Sequence, residues 1–569
     1  MSKTLYVKTL SPVFIGSGAA MEPFEYLFDQ NERMLYRLAP DTVFDYILEK
    51  HPEAADRVQT WIEKSSQAIN NETDNQRESK LRSEFTIPNF VRRELKNAQL
   101  ANELEQQVKN GRLSLYALPC ETLKGIERKK RSRNQTARLE EKQKAKKSVA
   151  IALKTAQHEL YIPGSSLKGA IRTALLFKVV RDAEGEVLKE LLKRVRELLD
   201  DERKANNLDR WKKEFDDGLE QYIFYCGIKD GRNQVRWDDA KCDLMKLISI
   251  TDSDAKPIAD AGRIAAVDLY QSNGQVQPQT PAVEAIANDQ IFQVRFTLDT
   301  QFLLKAKELL ENNDPHFGKT QWIGFQEKFD RLFGVRLADL TPNNVSEFEE
   351  RVLKQILEAS RLHSEAVRER ESHVATRQKI AALETFYQSL GAIAPASPLK
   401  LGYASGFPGT TIFLAMTLKP QLRPLMQCIL ETFGIGKPQR SRADVRVELD
   451  RFPTSRRYET IINDTASTSP IGWIAISLEQ QASLRRPLPR GTAVQTPPNP
   501  PSTVKAEIID SQSKPPKVKI LEGKFAGQQT ILPGVHLQNL ALSARSVVYV
   551  VPVERKGRLE KAEYKGKSS

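Results

Sequence analysis

The chain has 569 residues, a hydrophobic share of 40% and a formal net charge of +13 at pH 7. Its length predicts several domains, and its composition excludes a disordered or collagen-like chain. The basic balance favours a polyanionic partner, most commonly nucleic acid. No apolar run reaches the roughly 20 residues of a membrane span, and no secretory signal is present. We therefore expect a cytoplasmic protein without a membrane partner.

The four cysteines, Cys120, Cys226, Cys242 and Cys428, lie far apart in the sequence. None forms a pair with the spacing of metal ligands, which argues against a thiol-rich zinc site and against a disulfide framework. We predict neither a metal nor a cofactor.

The first part of the chain predicts a small α+β unit. Residues 5–10 alternate as in a strand, and the loop that follows carries Gly16, Ser17 and Gly18, where a ligand can approach the backbone closely. A hairpin over 24–38 and a helix from residue 40 come next.

A long surface insertion is predicted over about 52–150. It is polar and helical at first and then strongly basic, because residues 119–150 contain 11 Lys and Arg against four Glu. Such a charge run is typical of a disordered insert or of a solvated helix edge.

The stretch YIPGSSLKGAIRTALL predicts a strand end, a Pro-Gly turn and a helix. We predict Ser165 as the helix N-cap, so that Gly164, Ser165 and Ser166 offer backbone N–H groups at the positive end of the helix dipole. Lys168 and Arg172 are four residues apart and project from one face. Together they predict a cradle for a phosphodiester backbone.

Plainer interpretations fit the same stretch. Pro-Gly-Ser is an ordinary strand-to-helix turn, and Lys and Arg at this spacing often form a solvated face. The stretch argues against a nucleotide-triphosphate loop, because Ala170 and Ile171 stand where that loop needs lysine and a hydroxyl residue.

A second α+β unit is predicted from about residue 242. Residues 183–225 before it carry leucines at helical spacing, which indicates core packing. Its first strand ends at Asp252 and Asp254. Further strands and helices are predicted at 264–270, 291–298, 301–312, 345–390 and 471–476.

A second glycine-rich loop contains Gly402, Tyr403, Ser405 and Gly406. Its glycines suit close backbone contact, and the ring of Tyr403 suits stacking on a base. Packing of that ring within the turn is the plainer alternative. Four arginines downstream are predicted to face phosphates: Arg440, Arg442, Arg456 and Arg457.

The C-terminal part predicts a linker and a small module. Residues 483–516 are rich in Pro, Ser and Thr and predict an extended linker. Short β runs over 517–569 predict a small β-barrel-like module with a basic tail, and 505–509 is an alternative first strand. Small barrels often bind single-stranded nucleic acid, but no aromatic pair at strand spacing supports that function here.

Five segments occur in a specific order: LSPVFIGSG, YIPGSSLKGAIRTALL, LISITDSD, LGYASGF and PIGWIAISL. Together they resemble the RAMP superfamily of CRISPR-associated RNA-binding proteins and, within it, the fifth Csm subunits of type III-A effector complexes. The resemblance covers roughly residues 5–478, so the linker and the terminal module lie outside it.

The resemblance implies an α+β fold with two ferredoxin-like (RRM-like) domains, at 1–235 and 236–482, that carry helical insertions. It implies a non-cutting subunit that caps the 3′ region of the CRISPR RNA (crRNA), beside other RAMP and Csm subunits and near target RNA. It also implies support of 3′-end maturation by other nucleases, including those of the host. Guide bases must stay free to pair, so such a subunit binds the RNA backbone, for which glycine loops and cations are suited.

Three alternatives stay open. A metal-independent endoribonuclease that processes precursor crRNA would use His158 as general base near the 2′-hydroxyl. A metal-dependent nuclease would use Asp252 and Asp254, although two carboxylates alone are a poor metal site. A purely structural subunit would contact RNA only incidentally.

Overall fold

The structure is a computed structural model. It describes residues 2–71, 77, 81, 84–130, 139–145, 148–200, 218–229, 235–236, 240–277, 281–312, 322–391, 396–435, 447–460, 468–479, 504–510, 513, 515–521, 524–531, 546–555 and 558–567. The chain divides into two compact units, Met1–Pro487 and Leu488–Ser569. The first is mixed α/β and the second is a β-barrel.

The first unit contains both strands and helices along its whole length. Its strands are β1 (Lys3–Thr9), β2 (Gly16–Met21), β3 (Tyr26–Asp29), β4 (Met34–Leu38), β5 (Ser114–Pro119), β6 (Lys124–Lys130), β7 (Leu139–Ala145), β8 (Val149–Ala152), β9 (Glu159–Leu160), β10 (Gly227–Lys229), β11 (Val235–Arg236), β12 (Ile248–Ile250), β13 (Lys256–Pro257), β14 (Gly262–Gln271), β15 (Val276–Gln277), β16 (Ala282–Ile286), β17 (Ile291–Leu298), β18 (Trp322–Ile323), β19 (Ser397–Lys400), β20 (Ser455–Glu459), β21 (Ser469–Pro470) and β22 (Trp473–Ser477). Its helices are α1 (Pro40–Lys50), α2 (Ala54–Asn70), α3 (Ile87–Arg93), α4 (Ala98–Lys109), α5 (Gly164–Arg181), α6 (Gly185–Asp200), α7 (Ile258–Ala261), α8 (Thr300–Glu311), α9 (Phe325–Phe333), α10 (Val345–Gln378), α11 (Ala381–Leu390), α12 (Gly406–Thr410), α13 (Phe413–Leu418) and α14 (Arg423–Thr432). Among these helices, none has the length and apolar character needed to cross a bilayer.

A five-stranded antiparallel sheet in the order β12-β17-β1-β22-β19 lies at the centre of the first unit. Alternate residues of its strands, such as Leu5, Val7, Val294 and Phe296, are buried, because a strand turns every second side chain to the same face. Helices α5 and α10 pack against each other, α5 also contacts β12, and α10 also contacts β19.

The central sheet uses strands from both predicted halves of the chain. In sequence order, β1, α5, β12, β17, α10 and β19 form the β-α-β-β-α-β pattern of a ferredoxin-like unit, and β22 is added between β1 and β19. Strand β1 pairs directly with β17 and β22. Two separate ferredoxin-like domains at 1–235 and 236–482 are therefore not confirmed, because strands assigned to the second domain complete the sheet that begins with the first strand.

The strand directions bring several loops to one end of this sheet. Strands β12, β1 and β19 run in one direction, since each pairs antiparallel with β17 or β22. The ends of these three strands and the start of β22 therefore lie at the same end. Four of the five motif segments begin or end there.

A second, larger sheet of the first unit has the path β2-β8-β16-β14-β15-β6-β7, with β20 paired to β14. Strand β2 forms one edge of it. The basic segment is neither helical nor unstructured where it is described: β6 and β7 pair antiparallel, and β6 pairs with β15. The helices α1 to α4 before it belong to a separate hydrophobic cluster that includes Ile47, Phe90 and Leu104.

The second unit is a closed barrel with a small hydrophobic core. Its strands are β23 (Val504–Asp510), β24 (Lys517–Ile520), β25 (Gln529–Ile531), β26 (Val547–Arg555) and β27 (Arg558–Lys567). Ile508, Val518, Ile520 and Val548 are fully buried inside it. The predicted barrel-like module is thus present, and it begins at Val504 rather than at residue 517, with the alternative first strand included.

Candidate nucleic-acid interface

The start of α5 meets the end of β12 in a contact that we call the helix-start junction (residues 162–168 and 248–254). The N–H of Gly164 donates to Oδ1 of Asp252 at 2.8 Å, and the N–H of Ile162 donates to Oγ of Ser253 at 2.9 Å. A Cβ atom on Gly164 would overlap the carbonyl oxygen of Ile250. Glycine is needed here because two backbones touch, and not because a ligand approaches.

The predicted phosphate cradle at this junction is already occupied by groups of the chain itself. The N-cap of α5 is Pro163, so the prediction of Ser165 as N-cap is wrong; Ser165 is exposed in the first turn, and Ser166 is half-buried beside it. The carboxylate of Asp252 accepts from the first N–H of the helix and stands where an anion would bind. An aspartate from a distant motif therefore satisfies the first N–H group of the helix.

Both cations of the predicted cradle are engaged within the chain. Nζ of Lys168 donates to the carbonyl of Ile248 at 2.7 Å, and burial lowers the pKa of this lysine. The guanidinium of Arg172 pairs with Glu220 at 2.7 Å and with Asp243 at 2.9 Å. It also lies 3.9 Å from the ring centre of Phe224. The Lys–Arg pair therefore connects α5 to neighbouring segments.

Three other motif segments meet in a second contact, the loop junction (residues 11–18, 401–406 and 470–473). The N–H of Tyr403 donates to the carbonyl of Phe14 at 2.8 Å, and the N–H of Gly472 donates to the carbonyl of Pro12, also at 2.8 Å. The N–H of Leu401 donates to the carbonyl of Gly472 at 2.7 Å. The two glycine-rich loops are thus held together by the start of β22.

Glycine is required at two positions of the loop junction. Gly472 has φ +86°, and a Cβ atom on it would lie 2.6 Å from the carbonyl oxygen of Leu401. Gly402 has φ +73°, and a Cβ atom there would overlap the carbonyl oxygen of Phe14. The left-handed conformation and the backbone contact both exclude a side chain.

The outer side of the loop junction is open to solvent. The ring of Tyr403 is half-buried and meets the ring of Phe14 edge-on at 5.7 Å, and the guanidinium carbon of the exposed Arg457 lies 5.3 Å from the centre of the same tyrosine ring. Burial raises the pKa of the Tyr403 phenol, which keeps it protonated. We call the exposed part of this region the loop-junction surface; it comprises Gly16, Ser17, Gly18, Gly402, Tyr403, Gly406 and Arg457.

The opening strand does not lie beside the strand that precedes Gly164. Strand β1 pairs with β17 and β22, whereas the strand before Gly164, β9, pairs with β13. Gly16, Ser17 and Gly18 instead begin the edge strand β2, and the hydroxyl of Ser17 donates to the carbonyl of Ile151 at 3.0 Å. The first glycine loop is therefore grouped with Tyr403.

Two polar side chains support the second glycine loop from within. The hydroxyl of Ser405 is buried and donates to the carbonyl of Gly402 at 2.7 Å, so this predicted RNA contact is a turn-stabilising residue. Nζ of Lys400 donates to the carbonyl of Ala404 at 3.1 Å, and burial lowers the pKa of this lysine. The supporting role of Lys400 was not predicted, because a lysine at the end of a strand is not expected to be buried.

The predicted arginines have different environments. Arg456 is buried and pairs with Glu371 at 2.7 Å, while its Nη2 atom has no hydrogen-bond partner among the described residues. The same side chain lines a cavity of about 420 Å³ together with Arg377 and Arg451. A cavity lined by three arginines suits a phosphate. The other two predicted arginines, Arg440 and Arg442, lie outside the described residues.

The histidine of the alternative reaction lies beside a buried polar cluster. His158 has a left-handed backbone with φ 60°, and its ring centre is 5.3 Å from that of Tyr116. The buried carboxylate of Glu284 accepts from the Tyr116 hydroxyl at 2.6 Å and from Nζ of Lys154 at 2.7 Å. Burial, reinforced by the Lys154 charge, lowers the pKa of His158 and favours a neutral imidazole.

The aspartates of the metal alternative both serve as backbone acceptors. Asp252 binds the N–H of Gly164, and Asp254 accepts from the N–H of Gln293. In the described part of the chain, no group of three or more His, Cys, Asp or Glu side chains is placed to hold a metal ion.

A ferredoxin-like strand pattern with glycine-rich loops gathered at one end of the sheet defines the class of this unit as α+β and ferredoxin-like. A family model described as the RAMP superfamily matches residues 6–374, and the chain belongs to this superfamily.

Two solved structures are similar to this chain. One is a chain of the cryo-EM structure of a Csm–crRNA–target RNA ternary complex in a type III-A CRISPR-Cas system, with 20% identity, a TM-score of 0.48, and coverage of 84% of this chain and 100% of that chain. The other is the crystal structure of T. onnurineus Csm5, with 19% identity, a TM-score of 0.46, and coverage of 82% and 99%. No curated protein matches the sequence.

Proposed function

We propose that this chain is the crRNA-binding fifth subunit of a type III-A Csm effector complex. In this proposal it holds the 3′ region of the guide RNA by its backbone, without cutting it, and assembles with other RAMP and Csm subunits near the target RNA. It supports 3′-end maturation by leaving the trimming to separate nucleases.

The observation that carries this proposal is the loop-junction surface. Exposed glycine backbone offers close approach to a sugar-phosphate chain without reading its sequence. Arg457 supplies a permanent positive charge, and the neutral Tyr403 supplies a ring and a hydroxyl donor. These are the groups needed by a subunit that leaves guide bases free to pair.

The cavity at Arg456 extends this proposal to a second phosphate position. Arg456 is fixed by Glu371 and lines the cavity, where Arg377 and Arg451 add charge. A guanidinium held in place by a carboxylate loses little side-chain freedom when it binds a phosphate. In contrast, Lys168 and Arg172 have no part in the proposed interface.

The test is guide retention in the assembled complex. The chain is co-expressed with the other Csm subunits and a CRISPR array, and the guide RNA that co-purifies is quantified and its 3′ ends are sequenced. We expect Tyr403→Ala with Arg457→Glu to lower guide retention and to alter the 3′ ends. The matched control is Arg336→Glu, at an arginine that is 78% exposed elsewhere on the first unit.

Retention and 3′ ends that equal those of the unaltered chain in the Tyr403→Ala, Arg457→Glu double variant would contradict the proposal. Failure to co-purify with any Csm subunit or guide RNA would contradict the assembly role itself.

A metal-independent endoribonuclease is the second candidate, and the environment of His158 favours it. A neutral imidazole is the form that accepts a proton, and its lowered pKa keeps it in that form at neutral pH. Precursor RNA incubated with the purified chain in EDTA decides the matter: specific cleavage that disappears in His158→Ala would replace the non-cutting role.

A further inference from the structure

The C-terminal barrel has the strand arrangement of an OB-fold. Its closed path is β23-β24-β25-β27-β26, so the third strand neighbours the fifth, and the fourth returns to the first. The pair β25 and β27 is parallel, while the four other pairs are antiparallel. This order, with its one parallel pair, distinguishes an OB-fold from a simple meander closed on itself.

In OB-folds, the face formed by the second and third strands binds oligonucleotides, usually single strands. The corresponding strands here are β24 and β25. Lys517 lies opposite Ile531, and Lys519 lies opposite Gln529 in the strand register. Val518 and Ile520 alternate with the lysines and are buried in the barrel, so Lys517 and Lys519 face outward.

This outer face combines charge with exposed apolar area. Lys517 and Lys519 are exposed on it, and Ile531 next to them is 39% exposed. Leu521, directly after β24, is 42% exposed. Cations beside apolar side chains suit a single strand, since phosphates bind the former and unstacked base faces pack on the latter.

The charge of the whole unit points to the same ligand. Residues 488–569 contain 13 Lys and Arg against six Asp and Glu, a net charge of +7 within a chain of net charge +13. More than half of the basic excess is thus carried by this short C-terminal part. The family model ends at residue 374, so the barrel is an addition to the region that defines the superfamily.

We propose that the C-terminal barrel is an OB-fold that binds single-stranded RNA, without sequence preference, through the outer face of β24 and β25. This second RNA contact is separate from the loop-junction surface. Through this contact, the chain binds RNA segments that are not base-paired.

The experiment uses the full chain and a fluorescein-labelled, unstructured 15-nucleotide RNA, with affinity measured by fluorescence anisotropy at several salt concentrations. We expect Lys517→Glu with Lys519→Glu to weaken binding about tenfold or more and to reduce the slope of log K against log [salt] by about 1.4, since each phosphate contact on a single strand contributes about 0.7. Ile531→Ala, which keeps every charge, is expected to weaken binding without changing this slope.

The matched control is Lys305→Glu with Lys354→Glu, which makes the same charge change at two exposed lysines on helices of the first unit. A cooperative thermal unfolding transition in every variant would show that the variants fold. Unchanged RNA affinity in both barrel variants would overturn the proposal, as would equal or tighter binding of a duplex RNA. Tighter binding of single-stranded DNA of the same sequence would overturn the assignment to RNA.

The barrel proposal and the guide-binding proposal fail separately. Arg457→Glu and the barrel double variant alter different units, so each variant tests one of the two proposals. Suppose that the Arg457 variant loses guide RNA, while the barrel variant retains it and also binds free RNA normally. This result would support the crRNA role and contradict the proposed RNA binding by the barrel.

Discussion

The helix-start junction and the loop junction look alike in sequence and differ in the structure. Each contains glycines and serine in short motifs, and each was predicted to bind phosphates together with basic residues. At the helix-start junction, Asp252 satisfies the helix N-terminus, and Lys168 donates to a carbonyl of β12. At the loop junction, glycine backbone and Arg457 stay exposed, and Tyr403 is half-buried. Glycine in these motifs therefore marks a close backbone contact, and the neighbouring segments decide whether the region around it is internal or open to a ligand.

The largest expected effect on stability concerns the helix-start junction. Gly164→Ala places a Cβ atom against the backbone of β12, where neither side can yield. We expect a loss of stability of about 1–3 kcal/mol or more, measured by thermal unfolding of the first unit. Gly169→Ala is the control in the same helix, because a Cβ atom there meets nothing within 4 Å. The control is expected to gain up to about 1 kcal/mol. Equal effects of the two substitutions would show that no backbone contact exists at Gly164.

Acidification is expected to lower the stability of the first unit through His363, where α10 packs on α5. This histidine is buried on α10 against Phe177 of α5, with ring centres 5.2 Å apart, and burial lowers its pKa from 6.5 to about 4. Between these values the unfolded chain binds a proton that the folded chain does not, so stability falls as the pH falls, by at most about 1.4 kcal/mol per pH unit. Above pH 6.5, His363 is expected to have no effect on the pH dependence of stability.

The measurement is the unfolding midpoint between pH 7.5 and pH 5. His363→Leu should flatten this dependence, whereas His373→Leu, at an exposed position of the same helix, should leave it in place. RNA affinity in this range is expected to change less than stability, since the loop-junction surface contains no histidine. An identical pH profile in the His363 variant would contradict the role of this histidine.

A smaller effect separates capping from ligand binding at the helix-start junction. Asp252→Ala removes the acceptor of the Gly164 N–H and is expected to cost about 1 kcal/mol of stability. Asp252→Asn keeps an acceptor oxygen and is expected to cost less. RNA affinity should be the same in both variants. A change in RNA affinity without loss of stability would mean that this junction, too, meets the ligand.

Local structure was largely predictable from the sequence, whereas partners distant in the chain were not. The helix after Gly164 and the strand before the first glycine loop follow from periodicity and from turn residues. Ser165 was assigned as the cap because the nearest hydroxyl residue fits the rule, but the acceptor comes from Asp252 of another motif. The carboxylates that bind Arg172 also lie far away in sequence. Spacing on a helix predicts the direction of a side chain, but it does not predict which residues that side chain contacts.

The two separate ferredoxin-like domains are not confirmed, and the reason is the same. Each half of the sequence contains enough strands and helices for its own sheet, and pairing between β1, β17 and β22 is invisible to local patterns. The barrel was predictable as a module because hairpins join most of its strands. Its parallel β25–β27 pair, which identifies the strand order, is not local.

The most direct test of the difference between the two junctions is the salt dependence of guide-RNA affinity in two matched variants, Lys168→Met and Arg457→Met. Each removes one charge and keeps an unbranched apolar side chain. The loop-junction surface predicts that the slope of log K against log [salt] falls by about 0.7 in Arg457→Met and stays unchanged in Lys168→Met. A reduced slope in Lys168→Met, together with an unchanged slope in Arg457→Met, would contradict the assignment and return the RNA to the start of α5.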